Sequence, residues 1–136
     1  MTAIVPETND RRTDVMQRIL VVDDNEVVAR SLAKILAAAG FEAEVFHRGA
    51  AALTHVAAQP APPAAAVVDI HLPDISGLVL SHKLREQFGP DMPIIVLSGD
   101  TSMETLNSLQ HVGATYFLSK PLNSALLIER LKDLTA

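Results

Sequence analysis

The chain has 136 residues, enough for one domain with a sizeable core and too few for two. Eleven Lys and Arg against sixteen Asp and Glu give a net charge of -5, and the lone basic pair, Arg11-Arg12, is no footprint for a nucleic-acid backbone, which argues against direct nucleic-acid binding. Cysteine is absent, excluding disulfides, thiolate metal sites and a cysteine nucleophile.

Residues 1–16 are polar, carry Pro6 and lack periodicity, so they read as a flexible extension ahead of a single domain over 17–136. They hold no signal-peptide h-region, and no apolar run reaches the roughly 18 residues that span a bilayer. The expected location is the cytoplasm, with no membrane partner. From Arg18 the pattern is regular. RILVV (18–22) reads as a buried strand, and 25–39 as a helix with Val27, Val28, Leu32, Ile35 and Leu36 at helical spacing and Gly40 as its C-cap. EAEVF (42–46) alternates like a strand, and 50–58 is an Ala-rich helix closed by QPAPP. AAAVV (64–68) is a third strand, 78–88 a helix after Pro73 and Gly77, and PIIVL (93–97) a fourth strand. A helix over 103–112, a strand ATYFL (114–118) and a helix over 124–134 with Leu127, Leu131 and Leu134 inward complete the series.

Five strands alternating with five helices predict an α/β doubly wound parallel sheet, flavodoxin-like, in strand order 2-1-3-4-5. Ligands of such a sheet bind beyond the carboxyl ends of its strands. There the first strand delivers Asp23 and Asp24, the third Asp69, the fourth Ser98 and the fifth Lys120. Three carboxylates in one crevice repel, by about 4 kcal/mol for two unit charges about 4 Å apart at an effective dielectric of 20. One Lys cannot neutralise three. An all-oxygen site with room for water suits Mg²⁺. A carboxylate, a cation and a Lys together are also the parts of a phosphoryl-transfer centre, with the carboxylate as nucleophile. Capping of the following helix would account for one of Asp23 and Asp24 but not for both beside Asp69.

VVDD (21–24), VVDIHLPDISG (67–77), IIVLSGD (94–100) and FLSKP (117–121) resemble, in order and placement, the motif set of response-regulator receiver domains of two-component signalling. The resemblance runs from about Arg18 to Leu134. It implies Asp69 as phosphoacceptor, Asp24 as direct Mg²⁺ ligand with Asp23 acting through water, and the backbone carbonyl of His71 as a further ligand. It implies that Ser98 bonds a phosphoryl oxygen and that Lys120 pairs with the phosphate. It further implies a cis Lys120-Pro121 peptide, and Pro73 and Gly77 shaping the loop after Asp69. His71 and Asp100 stand at the family's two variable positions flanking the phosphoryl group. Phe117 takes the place of the switch aromatic, where a Tyr would bring a hydroxyl that Phe lacks, and Tyr116 should point to the opposite side of the strand.

The expected partners are a histidine kinase or a histidine phosphotransfer protein, and a downstream protein or second copy meeting the face formed by 101–112, 114–118 and 124–134. The resemblance implies no enzyme activity beyond promoting its own phosphorylation and dephosphorylation. The pattern ends after the last helix, so a receiver without an output domain is expected; a receiver segment of a hybrid histidine kinase is the alternative. A haloacid-dehalogenase-like phosphatase also uses a nucleophilic Asp, but needs an acid two residues later, where this chain has His71. A pure interaction module with a vestigial site is the remaining alternative, and the complete set of Asp, Ser and Lys argues against it.

Overall fold

The computed structural model describes residues 16–99, 104, 107 and 116–136. Its order is β1 (Gln17–Val22), α1 (Glu26–Ala38), β2 (Phe41–Phe46), α2 (Gly49–Ala57), β3 (Ala65–Asp69), α3 (Gly77–Phe88), β4 (Ile94–Ser98), β5 (Tyr116–Ser119) and α4 (Ser124–Thr135). All strand pairs are parallel, in the order β2-β1-β3-β4-β5. The helix expected over 103–112 lies outside the described residues apart from Glu104 and Asn107, both helical. The expected extension also lies outside them, except Met16.

The strands bury as their composition requires. β3 and β4, in the middle, are buried at every position, while the edge strands β2 and β5 are only partly covered. Alternation along each strand splits the core in two. Leu20, Val22, Ala66, Val68, Ile94 and Val96 face α2 and α3, meeting Ala52, Val56, Leu80 and Leu84. Ile19, Val21, Ala65, Val67, Ile95 and Leu97 face α1 and α4, meeting Leu32, Leu36, Leu127 and Leu131. Each fully buried Leu or Ile side chain contributes about 1.5–3 kcal/mol by leaving water.

Helix ends follow local chemistry. Asn25 caps α1, its side chain accepting from the amides of Val27 and Val28 at 3.0 and 3.1 Å. Ser76 caps α3 and Asn123 caps α4. The C-cap of α1 is Ala39; Gly40, expected in that role, comes one residue later with φ 94°, a conformation glycine adopts without steric cost. No helix among the described residues is long and apolar enough to cross a membrane.

Candidate functional site

Strand register brings the site together. Val22 pairs with Val68, Asp69 with Leu97, and Ser98 with Ser119, so the residues at or just after these strand ends share one edge of the sheet. The crevice opens between β1 and β3, where the strand order reverses. The carboxylates of Asp23, Asp24 and Asp69 each have an oxygen within 4.8 Å of the others. Asp23 and Asp69 are buried, with 1% and 4% exposure, whereas Asp24 is open to solvent.

Each buried carboxylate is held at both oxygens. Asp23 Oδ1 accepts the amide of Asn25 at 2.9 Å, and Asp69 Oδ1 accepts the amide of His71 at 3.0 Å. Both bonds span two residues, the local turn that an Asp at a strand end readily forms. The remaining oxygens face Lys120, whose Nζ is 2.9 Å from Asp69 Oδ2 and 3.4 Å from Asp23 Oδ2. The Lys120-Pro121 peptide is cis, as the resemblance implied, and the Lys120 amide donates to the Ser98 carbonyl at 2.9 Å.

The charges are unbalanced: three carboxylates and one ammonium meet here. Burial pushes the Asp23 carboxyl above its ordinary range and the Asp69 charge adds to that, against the Asn25 amide and the Lys120 charge. Burial pulls the Lys120 ammonium down. Its hydrogen bond to Asp69 and the charges of Asp23 and Asp69 outweigh this and hold it above the usual Lys value.

The other expected residues fall as follows. Ser98 is buried at the end of β4, and His71 is exposed on the loop after β3. Phe117 is half-buried against the α2/α3 side of the core, and Tyr116 lies on the opposite side of β5, 40% exposed with the Arg130 guanidinium 5.2 Å from its ring centre. Asp100 lies outside the described residues. Leu126 is half-buried and lines a cavity of about 330 Å³ with Phe117, Leu118 and Pro121. Capping does not explain Asp23 or Asp24, because Asn25 takes that role in α1.

Gly77 is required by a close approach. A Cβ there would sit 2.2 Å from the Asp69 carbonyl oxygen and 2.6 Å from Ile70 Cα, while the Gly77 amide donates to the Ile70 carbonyl at 2.8 Å. Sequence reasoning missed Asp74. Its carboxylate accepts the amides of Gly49 and Ala50 at 2.9 and 2.8 Å, and the Ala50 and Gly49 amides hold it below the usual carboxylate range. The Pro-Asp pair in the loop was visible, but its partners lie 24 and 25 positions earlier. His55 has Nε2 3.2 Å from Glu44, which also pairs with Arg18.

Fold and site together define a doubly wound α/β domain with an acidic, ammonium-bearing pocket at its strand-order switch. The chain belongs to the response regulator receiver domain family, whose model matches residues 19–132. It is 41% identical over 106 residues to the photosynthetic apparatus regulatory protein RegA of Rhodovulum sulfidophilum, covering 78% of this chain and 56% of that protein. It is 36% identical over 117 residues to the response regulator MprA of Mycobacterium avium, covering 86% and 50%. The chain thus spans about half the length of these curated relatives. A CheY-like receiver domain protein from Methanospirillum hungatei superposes with a TM-score of 0.80 at 30% identity over 88% of this chain and 93% of that one. The chemotaxis protein CheY4 of Vibrio cholerae gives 0.78 at 31%, over 88% and 99%.

Proposed function

We propose that this receiver domain is a phosphoacceptor of a two-component or phosphorelay system, taking a phosphoryl group from a phosphohistidine onto Asp69. The observation that carries the reading is the 2.9 Å pair between Lys120 Nζ and Asp69 Oδ2 inside a group of three carboxylates. A carboxylate oxygen of Asp69 attacks phosphorus, an O–P bond forms, and the P–N bond of the phosphohistidine breaks with its electron pair leaving on the imidazole. Lys120 then exchanges its contact with the carboxylate for one with a phosphoryl oxygen, and the Ser98 hydroxyl bonds another.

The donor set fits a hard divalent cation: all oxygen, clustered, with Asp24 open to water. Asp24 and Asp69 with the His71 carbonyl would hold Mg²⁺ directly, and Asp23 through water. The ion supplies positive charge against the transferring phosphoryl oxygens. His71 and Asp100 flank the phosphoryl group and tune access to it, and Pro73 and Gly77 shape the loop. The donor is a histidine kinase or histidine phosphotransfer protein. Phosphorylation biases the domain between two states, read out by a downstream protein or a second copy on the face comprising 101–112, 114–118 and 124–134.

Acetyl phosphate with Mg²⁺ should add one hydroxylamine-labile phosphate per chain, measured by intact mass. Equal labelling of Asp69→Ala would overturn the assignment.

A further inference from the structure

Helix α2 starts without a cap of its own. Arg48 occupies its N-cap position and makes no side-chain bond to the first turn. The free amides of such a turn need acceptors. Asp74 supplies two, with one carboxylate oxygen on Gly49 and the other on Ala50. The neighbouring Ile75 closes over the same spot: a Cβ on Gly49 would lie 2.5 Å from Ile75 Cγ1. The loop after Asp69 is thus pinned at its middle to α2 and at its end by Gly77 against the Asp69 carbonyl.

The turn that receives Asp74 also holds the other acidic loop. The Asp23 amide donates to the Phe46 carbonyl at 3.0 Å, and His47 Nδ1 lies 2.9 Å from the Asp23 carbonyl oxygen, which can only accept. Residues 46–50 therefore bond to the Asp23 loop on one side and to the Asp74 loop on the other. Both sets of bonds tie the loops carrying the acidic residues to this one turn.

We propose that Asp74 is a positioning residue for metal binding: by clipping the loop 70–76 onto the first turn of α2, it holds the His71 backbone in register with Asp23, Asp24 and Asp69. The inference rests on reading that cluster as the Mg²⁺ site of a phosphoacceptor. Asp74 touches neither the cation nor the phosphoryl group. It acts by removing the cost of ordering the loop when the cation arrives, as outer residues of metal sites do.

The test compares wild type with Asp74→Ala, Asp74→Asn and Val56→Ala. Val56 is buried near the far end of α2 from the Gly49 and Ala50 amides, so its truncation is a destabilising control on the same helix. Mg²⁺ affinity is read by calorimetric titration, and loop order by hydrogen exchange of the His71 amide in metal-free protein. Asp74→Ala should bind Mg²⁺ about tenfold more weakly. Its His71 amide should exchange faster, and acetyl-phosphate labelling should need correspondingly more Mg²⁺. Asp74→Asn, which keeps one acceptor oxygen, should recover part of each loss. Val56→Ala should lower the melting temperature and leave Mg²⁺ affinity as in wild type. If Asp74→Ala loses stability but keeps wild-type Mg²⁺ affinity and His71 exchange, Asp74 is a helix cap and nothing more. If wild type itself binds no Mg²⁺ and takes no phosphate, the reading of the site fails and this inference with it, an outcome visible before any variant is made.

Discussion

Asp23 and Asp69 are held in the same way although they sit on different strands. Each gives Oδ1 to the amide two residues later and turns Oδ2 toward the same Lys120 Nζ. The backbone amides fix the two carboxylates against rotation, so their charges face each other across the crevice and Lys120 meets both. Lys120 is 51 positions from Asp69 and 97 from Asp23, so the arrangement exists only in the folded chain.

Removing that ammonium leaves the two buried carboxylates facing each other. Lys120→Met should destabilise the metal-free protein by about 1–3 kcal/mol at neutral pH, the usual cost of orphaning a buried charged partner, discounted because Lys120 is partly exposed. The folded-state value of Lys120 is raised, so its contribution is complete below about pH 10.4 and is lost as pH rises through the raised value. Urea melts across that range should converge for wild type and variant at the alkaline end. A constant gap would assign the loss to packing.

The raised Asp23 value has the opposite sign. Between the ordinary value of about 3.9 and the raised one, the folded state binds more protons than the unfolded, so stability falls as pH rises through that window. Asp23→Asn lacks this fall. It should be more stable than wild type in metal-free buffer at neutral pH, with the advantage fading in acid. Saturating Mg²⁺ should raise the wild-type melting temperature more than that of the variant. A variant no more stable than wild type at neutral pH would mean that Lys120 and the Asn25 amide fully offset the burial of this carboxylate.

A methyl group at Gly77 has nowhere to go except into the Asp69–Ile70 backbone. Gly77→Ala should cost about 1–3 kcal/mol, in the range of overpacked cores. It should also slow acetyl-phosphate labelling, because the strain falls on the acceptor residue itself. Wild-type labelling kinetics in a destabilised variant would show that the backbone yields away from Asp69.

Phosphorylation should be felt at Phe117 through Ser98. Both sit on the β4–β5 pair, and Phe117 packs against the α2/α3 side of the core and lines a cavity of about 330 Å³. Beryllofluoride with Mg²⁺ should shift the NMR signals of Phe117 and α4 as well as those of the acidic loops. In Ser98→Ala, labelling should persist while the distal shifts disappear. Shifts confined to the loops around Asp23, Asp69 and Lys120 in wild type would mean that the signal leaves by another face.

Strand and helix identity was legible because it is local. Apolar runs such as PIIVL and the spacing of Leu127, Leu131 and Leu134 repeat within a few residues, and each element they predict among the described residues is present within two residues of its expected ends. The acidic residues were legible for a related reason: in a parallel doubly wound sheet the strand ends converge, so any chemistry encoded there shares one crevice. The opposite orientations of Tyr116 and Phe117 followed from strand alternation alone.

What tertiary structure decided are the relations between elements distant in the chain. Asp74 was one polar residue in a turn until packing of α2 beside α3 put the Gly49 and Ala50 amides within its reach. Gly77 could be read as a turn glycine, but the demand for hydrogen at that position comes from the Asp69 carbonyl beneath it. The Arg18–Glu44–His55 contacts join β1, β2 and α2, and no local pattern announces them. Periodicity reports which face of an element is buried, whereas a hydrogen bond or a close approach depends on ångström-scale separations between elements, set by the side chains packed between them.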